Sequence, residues 1–172
     1  ARTISDTPIE ANLIITGVID GPLSGGTPKA VEIYATADIA DLSLYGIGSA
    51  NNGGGTDGQE FTFPSDAIQA GEYFYVATDV DNFNTYLGFD PDYTSGALGI
   101  NGDDAVELFF NGNVIDVFGD INADGNGTPW EYLDGWAYRK DEIEANNGSF
   151  NSDNWIFSGV NALDGELTNA TS

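Results

Sequence analysis

Short runs of β-branched and aromatic residues, each closed by Gly, Asn, Asp or Pro, recur along this chain at roughly ten-residue spacing. No stretch of about a dozen residues sustains helical periodicity. The runs are Leu13–Ile19, Ala30–Tyr34, Leu42–Ile47, Glu60–Phe63, Glu72–Ala77, Ala105–Phe110, Val114–Phe118, Trp136–Arg139 and Asn154–Phe157. Asn111-Gly112-Asn113 between two of them reads as a hairpin turn, because Asn-Gly supplies the positive φ angles that a tight turn needs. Residues 48–58 read as a Gly/Asn-rich loop, 81–87 as a helical turn or loop, and 141–145 as a short helical turn. This pattern predicts an all-β antiparallel sandwich or barrel with long Gly/Asn/Asp-rich loops. No linker or composition shift interrupts 12–168, so one domain is expected there, with a loose segment at 1–11 and a tail at 169–172.

Charge and missing residue types narrow the chemistry. Of the 172 residues 41% are apolar, enough for a sizeable core in spite of a net charge of −24. Neither Cys nor His is present, which removes thiol catalysis, disulfides, zinc–thiolate sites and His-dependent mechanisms. Only four basic residues, Arg2, Lys29, Arg139 and Lys140, oppose 28 acidic ones. Direct binding to nucleic acid or to an anionic membrane surface is therefore not expected. No apolar run of roughly 18 residues occurs, so no membrane-spanning helix is expected. The favoured counter-ion is Ca²⁺, plentiful outside cells; a solubilising role for the acidity is compatible with it. A first residue that is not Met suits a mature secreted chain or an excised domain.

One stretch carries the spacing of a calcium loop. In Asp120–Glu131, Asp120, Asn122 and Asp124 occupy positions 1, 3 and 5, Gly125 position 6 and Glu131 position 12. Alternate oxygens converge on one point only if the chain wraps around it; Gly125 permits the sharp turn, and Glu131 can close the shell with two oxygens. Asn126 would offer its carbonyl and Thr128 the ninth position, giving the set Asp120, Asn122, Asp124, Asn126, Thr128 and Glu131. An EF-hand has flanking helices, whereas Val114–Phe118 reads as a strand, so the loop would be EF-hand-like within a β fold. A simple acidic turn is the alternative. Asp79–Asn84 could hold a second ion but lacks a closing carboxylate, and Asn101, Asp103 and Asp104 read as a turn.

Aromatic residues supply the other clue. Trp130, Tyr132, Trp136 and Tyr138 share parity beside the acidic loop, and the last two should share one face of a strand. They are either a cap on the core or a platform for a sugar ring or a partner side chain. Phe61, Phe63, Phe74, Phe109 and Phe118 are expected in the core. Gly53–Gly58 fits G-x-G-x-x-G but lacks the strand–turn–helix context of a dinucleotide site. Carboxylates are too abundant for any one pair to indicate glycoside hydrolysis. Sequons at Asn126, Asn147 and Asn169 carry little weight in so Asn-rich a chain.

The order of several segments resembles bacterial lamin-tail domains. They are Leu13–Thr16, Lys29–Tyr34, Asp41–Tyr45, Ala70–Ala77, Ile100–Leu108, Asn111–Gly119, Trp130–Lys140 and Asp153–Trp155, so the resemblance spans roughly 12–160. Ala35 departs from it, standing where related domains often carry Asn. The resemblance implies an immunoglobulin-like β-sandwich, used as an accessory module of secreted or surface proteins beside nucleases, phosphatases or other hydrolases, with no shared catalytic centre. The expectation is thus a non-catalytic, calcium-stabilised accessory binding module, secreted, with extracellular polysaccharide as the favoured ligand. The alternatives are a docking module beside a hydrolase and a small calcium-dependent hydrolase.

Overall fold

Alternation of apolar residues inward and polar residues outward builds two facing sheets. The computed structural model describes residues 11–171; Arg2 and the rest of the expected loose segment up to residue 10 lie outside them. Ten strands form there: β1 (Leu13–Leu23), β2 (Thr27–Ala35), β3 (Tyr45–Ala50), β4 (Phe61–Thr62), β5 (Tyr73–Ala77), β6 (Tyr93–Thr94), β7 (Ala105–Phe110), β8 (Asn113–Phe118), β9 (Gly135–Arg139) and β10 (Trp155–Phe157). One α-helix, α1 (Val80–Leu87), joins β5 to β6. The six-stranded sheet runs β10-β9-β1-β2-β5-β6, and the four-stranded sheet runs β4-β3-β7-β8. Pairing is antiparallel except for the short β5–β6 pair. The expected sandwich is the observed architecture.

Four local readings differ from the sequence expectation. Leu42–Leu44 is a 3-10 turn, because the Asp41 carboxylate accepts from the N–H of Ser43 and holds the chain bent. The strand then runs on to Ala50, into the expected loop; Gly46 and Gly48 have no side chains, and residues 58–61 lie directly over them. Residues 80–87 make a full helix, capped by Asp79 accepting from Asn82 N–H and ended by Gly88 at φ 87°. Residues 141–145 form no helix, since Arg139 Nη1 takes the carbonyl of Glu144 at 3.0 Å and holds that stretch open. The β7–β8 hairpin forms as expected, with Asn111 and Gly112 both at positive φ.

The core lies between the sheets. Ile15, Val31, Ile33 and Val76 face Ile47, Val106, Leu108 and Ile115, all fully buried. At one end Phe118 is ringed by Trp130, Tyr132, Phe150 and Trp155, with centroids 6.2, 5.2, 5.5 and 4.7 Å away in edge-to-face arrangements.

A buried ion pair ties the sheets together. Asp116 of β8 points inward at the bulge between β7 and β8. It accepts from Arg139 Nη2 of β9 at 2.5 Å, from Ile15 N–H of β1 at 2.8 Å and from Asn146 N–H at 3.0 Å. Arg139 also donates from Nε to the Ile15 carbonyl at 2.6 Å and lies over the Trp155 ring, 4.7 Å from its centroid. Burial pushes the Asp116 carboxyl upward, while Arg139 and the two N–H donors pull it back. Removing one partner strands the other charge, so Arg139→Met should cost about 3–5 kcal/mol. Denaturant unfolding at neutral pH checks this, and a loss under 1 kcal/mol (about a fivefold change in the folding constant) would contradict the pinning role.

Candidate outer-face groove and acidic loop

The outward face of the six-stranded sheet is not a plain polar surface. Strand register aligns Ile156, Tyr138, Gly17, Glu32 and Tyr75 in one row across β10, β9, β1, β2 and β5. The next row is Trp136, Ile19, Ala30 and Ala77. Small residues in the middle and large ones at the sides leave an open groove of about 500 Å³. One wall is Trp136, Tyr138 and Ile156. The other is Tyr75 with Phe83, Leu87 and Phe89, because α1 lays Phe83 onto Ala30 and Ala77. Trp136 is 37% and Tyr138 39% exposed.

Glu32 is the charged group of this floor. Its two oxygens accept from Thr16 Oγ1 and from the Tyr75 hydroxyl, each at 2.7 Å. Burial, then the Glu32 bond and charge, push the Tyr75 hydroxyl well above its ordinary value. Burial and the Glu32 charge also raise Tyr138, which is further coupled to Tyr73. Both phenols therefore stay neutral donors across the physiological range.

The four candidate aromatic residues divide. Trp136 and Tyr138 share the outer face as their parity requires. Trp130 and Tyr132, candidates for the same platform with a core cap as the alternative, are core residues, 6% and 0% exposed. Tyr132 sends its hydroxyl to the Asp104 carbonyl at 3.0 Å, and both rings pack on Phe118. The turn between Glu131 and Gly135 breaks the strand alternation, so shared parity carries across it no further. Glu32, Gly17, Tyr75 and Phe89 were not among the sequence candidates. Alternation in β2 and β5 marks Glu32 and Tyr75 as outward, but which strands are neighbours appears only in the fold.

In the loop 120–131, Asp120 accepts from Asn122 N–H and Asp124 from Asn126 N–H, both at 2.9 Å. Glu131 accepts from Gly127 N–H at 2.6 Å, and Thr128 donates to the Gly125 carbonyl. Gly125 is required by close approach: a Cβ there would run into the Trp130 ring and the Asp103 carbonyl. Asp103 stands beside this loop; burial, then the charges of Asp104, Asp124 and Glu131, raise its carboxyl, and its Oδ1 is buried without a partner. Among the described residues, no three acidic side chains converge as a metal shell. In the second acidic cluster Asp79 caps α1. Asp104 forms the expected turn, accepting from Asn101 N–H and also from Asn52 N–H.

The Gly53–Gly58 loop serves the fold. Gly53 packs against the backbone of Ala123 and Asp124, and Gly55 N–H donates to the Ile121 carbonyl, so this loop buttresses the acidic one. The described cations are all engaged within the protein: Lys29 with Asp20 and the Ile100 carbonyl, Arg139 with Asp116, and Lys140 with the Asp153 carbonyl. No described helix is long and apolar enough to cross a membrane.

Two facing, largely antiparallel sheets over one apolar core make an immunoglobulin-like β-sandwich. The family model described as Lamin Tail Domain matches residues 7–122, and the chain belongs to this family of non-catalytic immunoglobulin-like domains. The match covers β1 to β8 and ends inside the acidic loop, so Trp136, Tyr138 and Arg139 lie beyond it. No curated protein and no solved structure is significantly similar to the chain.

Beneath the glycine loop, Glu107 of β7 is 2% exposed, accepts from Thr56 and has an unpartnered Oε2. Burial raises its carboxyl above 4.5, so its ionised form is disfavoured in the folded chain. Its contribution to stability is complete below pH 4.5 and is lost as pH rises through the raised folded value. Glu107→Gln should therefore match the parent in acid and exceed it by about 1–2 kcal/mol at neutral pH. Denaturant titrations of both proteins across this pH range give the gap directly.

Proposed function

We propose that this chain is a secreted, non-catalytic binding module whose ligand, an extracellular polysaccharide, lies along the groove on the six-stranded sheet. The observation that carries this reading is the pair Trp136 and Tyr138, two residues apart on β9 and exposed at the wall of a groove with a small-residue floor. Flat aromatic faces suit the C–H faces of pyranose rings, and the Glu32 carboxylate with its attendant Tyr75 can hydrogen-bond hydroxyls. A rigid sheet presents this surface without an ordering penalty at binding.

Calcium is the second part of the proposal. The donors of 120–131 are hard oxygens, and the unpartnered Asp103 Oδ1 beside Asp124 and Glu131 marks unrelieved negative charge. Asp120 and Asp124 each accept an N–H bond at Oδ1 alone, which leaves Oδ2 of each for an ion. A docking role beside a neighbouring hydrolase domain is supported by exposed Ile156, Val160 and Leu167.

Trp136→Ala should abolish glycan-induced changes in tryptophan fluorescence while leaving the far-ultraviolet circular dichroism unchanged, since Trp130 and Trp155 are buried. A panel of neutral and charged polysaccharides that leaves the fluorescence of the parent unchanged would count against the reading. For the ion, millimolar Ca²⁺ should raise the melting temperature by several degrees, an effect of about 1–3 kcal/mol. Asp124→Ala should remove that rise, and equal melting in EDTA and calcium would dispose of the ion site.

A further inference from the structure

The groove has one charge, and its sign restricts the sugar. Glu32 is the only ionisable carboxylate or base among the residues lining it, and no Lys or Arg is among them. Thr16 and Tyr75 each occupy one Glu32 oxygen, while an ionised carboxylate has about four acceptor positions, so roughly two remain. Gly17 separates Glu32 from Tyr138 in the same row. A Cβ at this glycine would touch Glu32 Cβ at 3.4 Å and Tyr138 Cδ2 at 3.6 Å, so the missing side chain is a notch beside the carboxylate. Tyr138 borders that notch on one side and Glu32 on the other, with Tyr75 beyond Glu32 in the same row. Aromatic faces around a carboxylate attract a compact cation twice over, through the ion pair and through the ring quadrupoles.

Resting on the polysaccharide reading above, we propose that the groove selects a cationic polysaccharide built of unacetylated amino sugars, with an ammonium group in the Gly17 notch against Glu32 and a pyranose face on Trp136. The protein's net charge of −24 draws such a polymer in from a distance, and Glu32 supplies the local contact. N-acetylation deletes the charge that would pair with Glu32. Uronate or sulfate would face a carboxylate with no cation to offset it.

The test titrates the intact chain, by calorimetry and tryptophan fluorescence, with a glucosamine hexamer, its fully N-acetylated counterpart, an oligouronate and oligolysine, where the amine is protonated. The glucosamine hexamer should bind at least about tenfold tighter than the acetylated one. Glu32→Gln changes the net charge by one unit and so keeps the long-range attraction, yet it should erase this preference and leave weak binding to both. Glu142→Gln, an exposed carboxylate outside the groove, should keep the preference. Equal affinity of the parent for the two hexamers overturns the amine inference and leaves the polysaccharide reading standing. A preference that survives Glu32→Gln overturns it as well, because diffuse charge is then the cause. Oligolysine bound as tightly, with the same Glu32 dependence, replaces the sugar by a basic peptide. No binding by any of the sugars removes both readings together.

Discussion

A buried carboxylate and a buried guanidinium set the alignment of the two sheets. Asp116 belongs to the small sheet and Arg139 to the large one, and both meet the backbone of Ile15, one at its N–H and the other at its carbonyl. Apolar packing alone would tolerate sliding of one sheet over the other, since dispersion and burial are weakly directional. A charge pair with its hydrogen bonds satisfied tolerates no such slip, because any shift leaves charge unpaired in a dry interior. Each half of the pair depends on the other, since removing either leaves an uncompensated buried charge. The Trp155 ring under Arg139 and the Phe118 cluster beside it seal that end from water.

The same constraint decides the outer face. With Arg139 and Ala137 inward, strand alternation forces Tyr138 and Trp136 outward. β9 then pairs with β1 in the register that sets Tyr138 beside Gly17 and, one strand further, Glu32. A slip of one residue would bury the aromatic rings and expose the guanidinium. Core pin and surface groove are two sides of one short strand, Gly135–Arg139. A second tie, Lys29 against Asp20 and the Ile100 carbonyl, adds to that pin, so the described cations of this acidic chain serve its architecture.

The lamin-tail relationship and the sandwich were legible because their signals are local and repeated. Val31, Ile33, Phe74 and Val76 alternate with polar neighbours and are all buried. Asn111-Gly112 announced its turn by chemistry that no tertiary contact had to supply. The helix over 80–87 was only half legible, since its Asp79 cap reads equally well as part of an acidic cluster. For the four aromatic residues the sequence left core and platform open, and the structure divides them: Trp130 and Tyr132 are buried, Trp136 and Tyr138 exposed. The ion pair left no mark in the sequence: Asp116 and Arg139 stand where ordinary outward polar residues of strands would stand. Only the bulge at 114–116 turns Asp116 inward.

By itself the sequence determined the class of structure: alternating β-prone runs, turn residues at their ends, enough apolar matter for one core, and no Cys or His with which to do thiol or imidazole chemistry. These follow from propensity, periodicity and composition, which act over a few residues at a time. The tertiary structure alone decided which strands are neighbours, which aromatic rings face solvent, and that Glu32 and Tyr138, far apart in the chain, border one notch. Those outcomes depend on long-range register, settled by the joint packing of both sheets rather than by any segment in isolation.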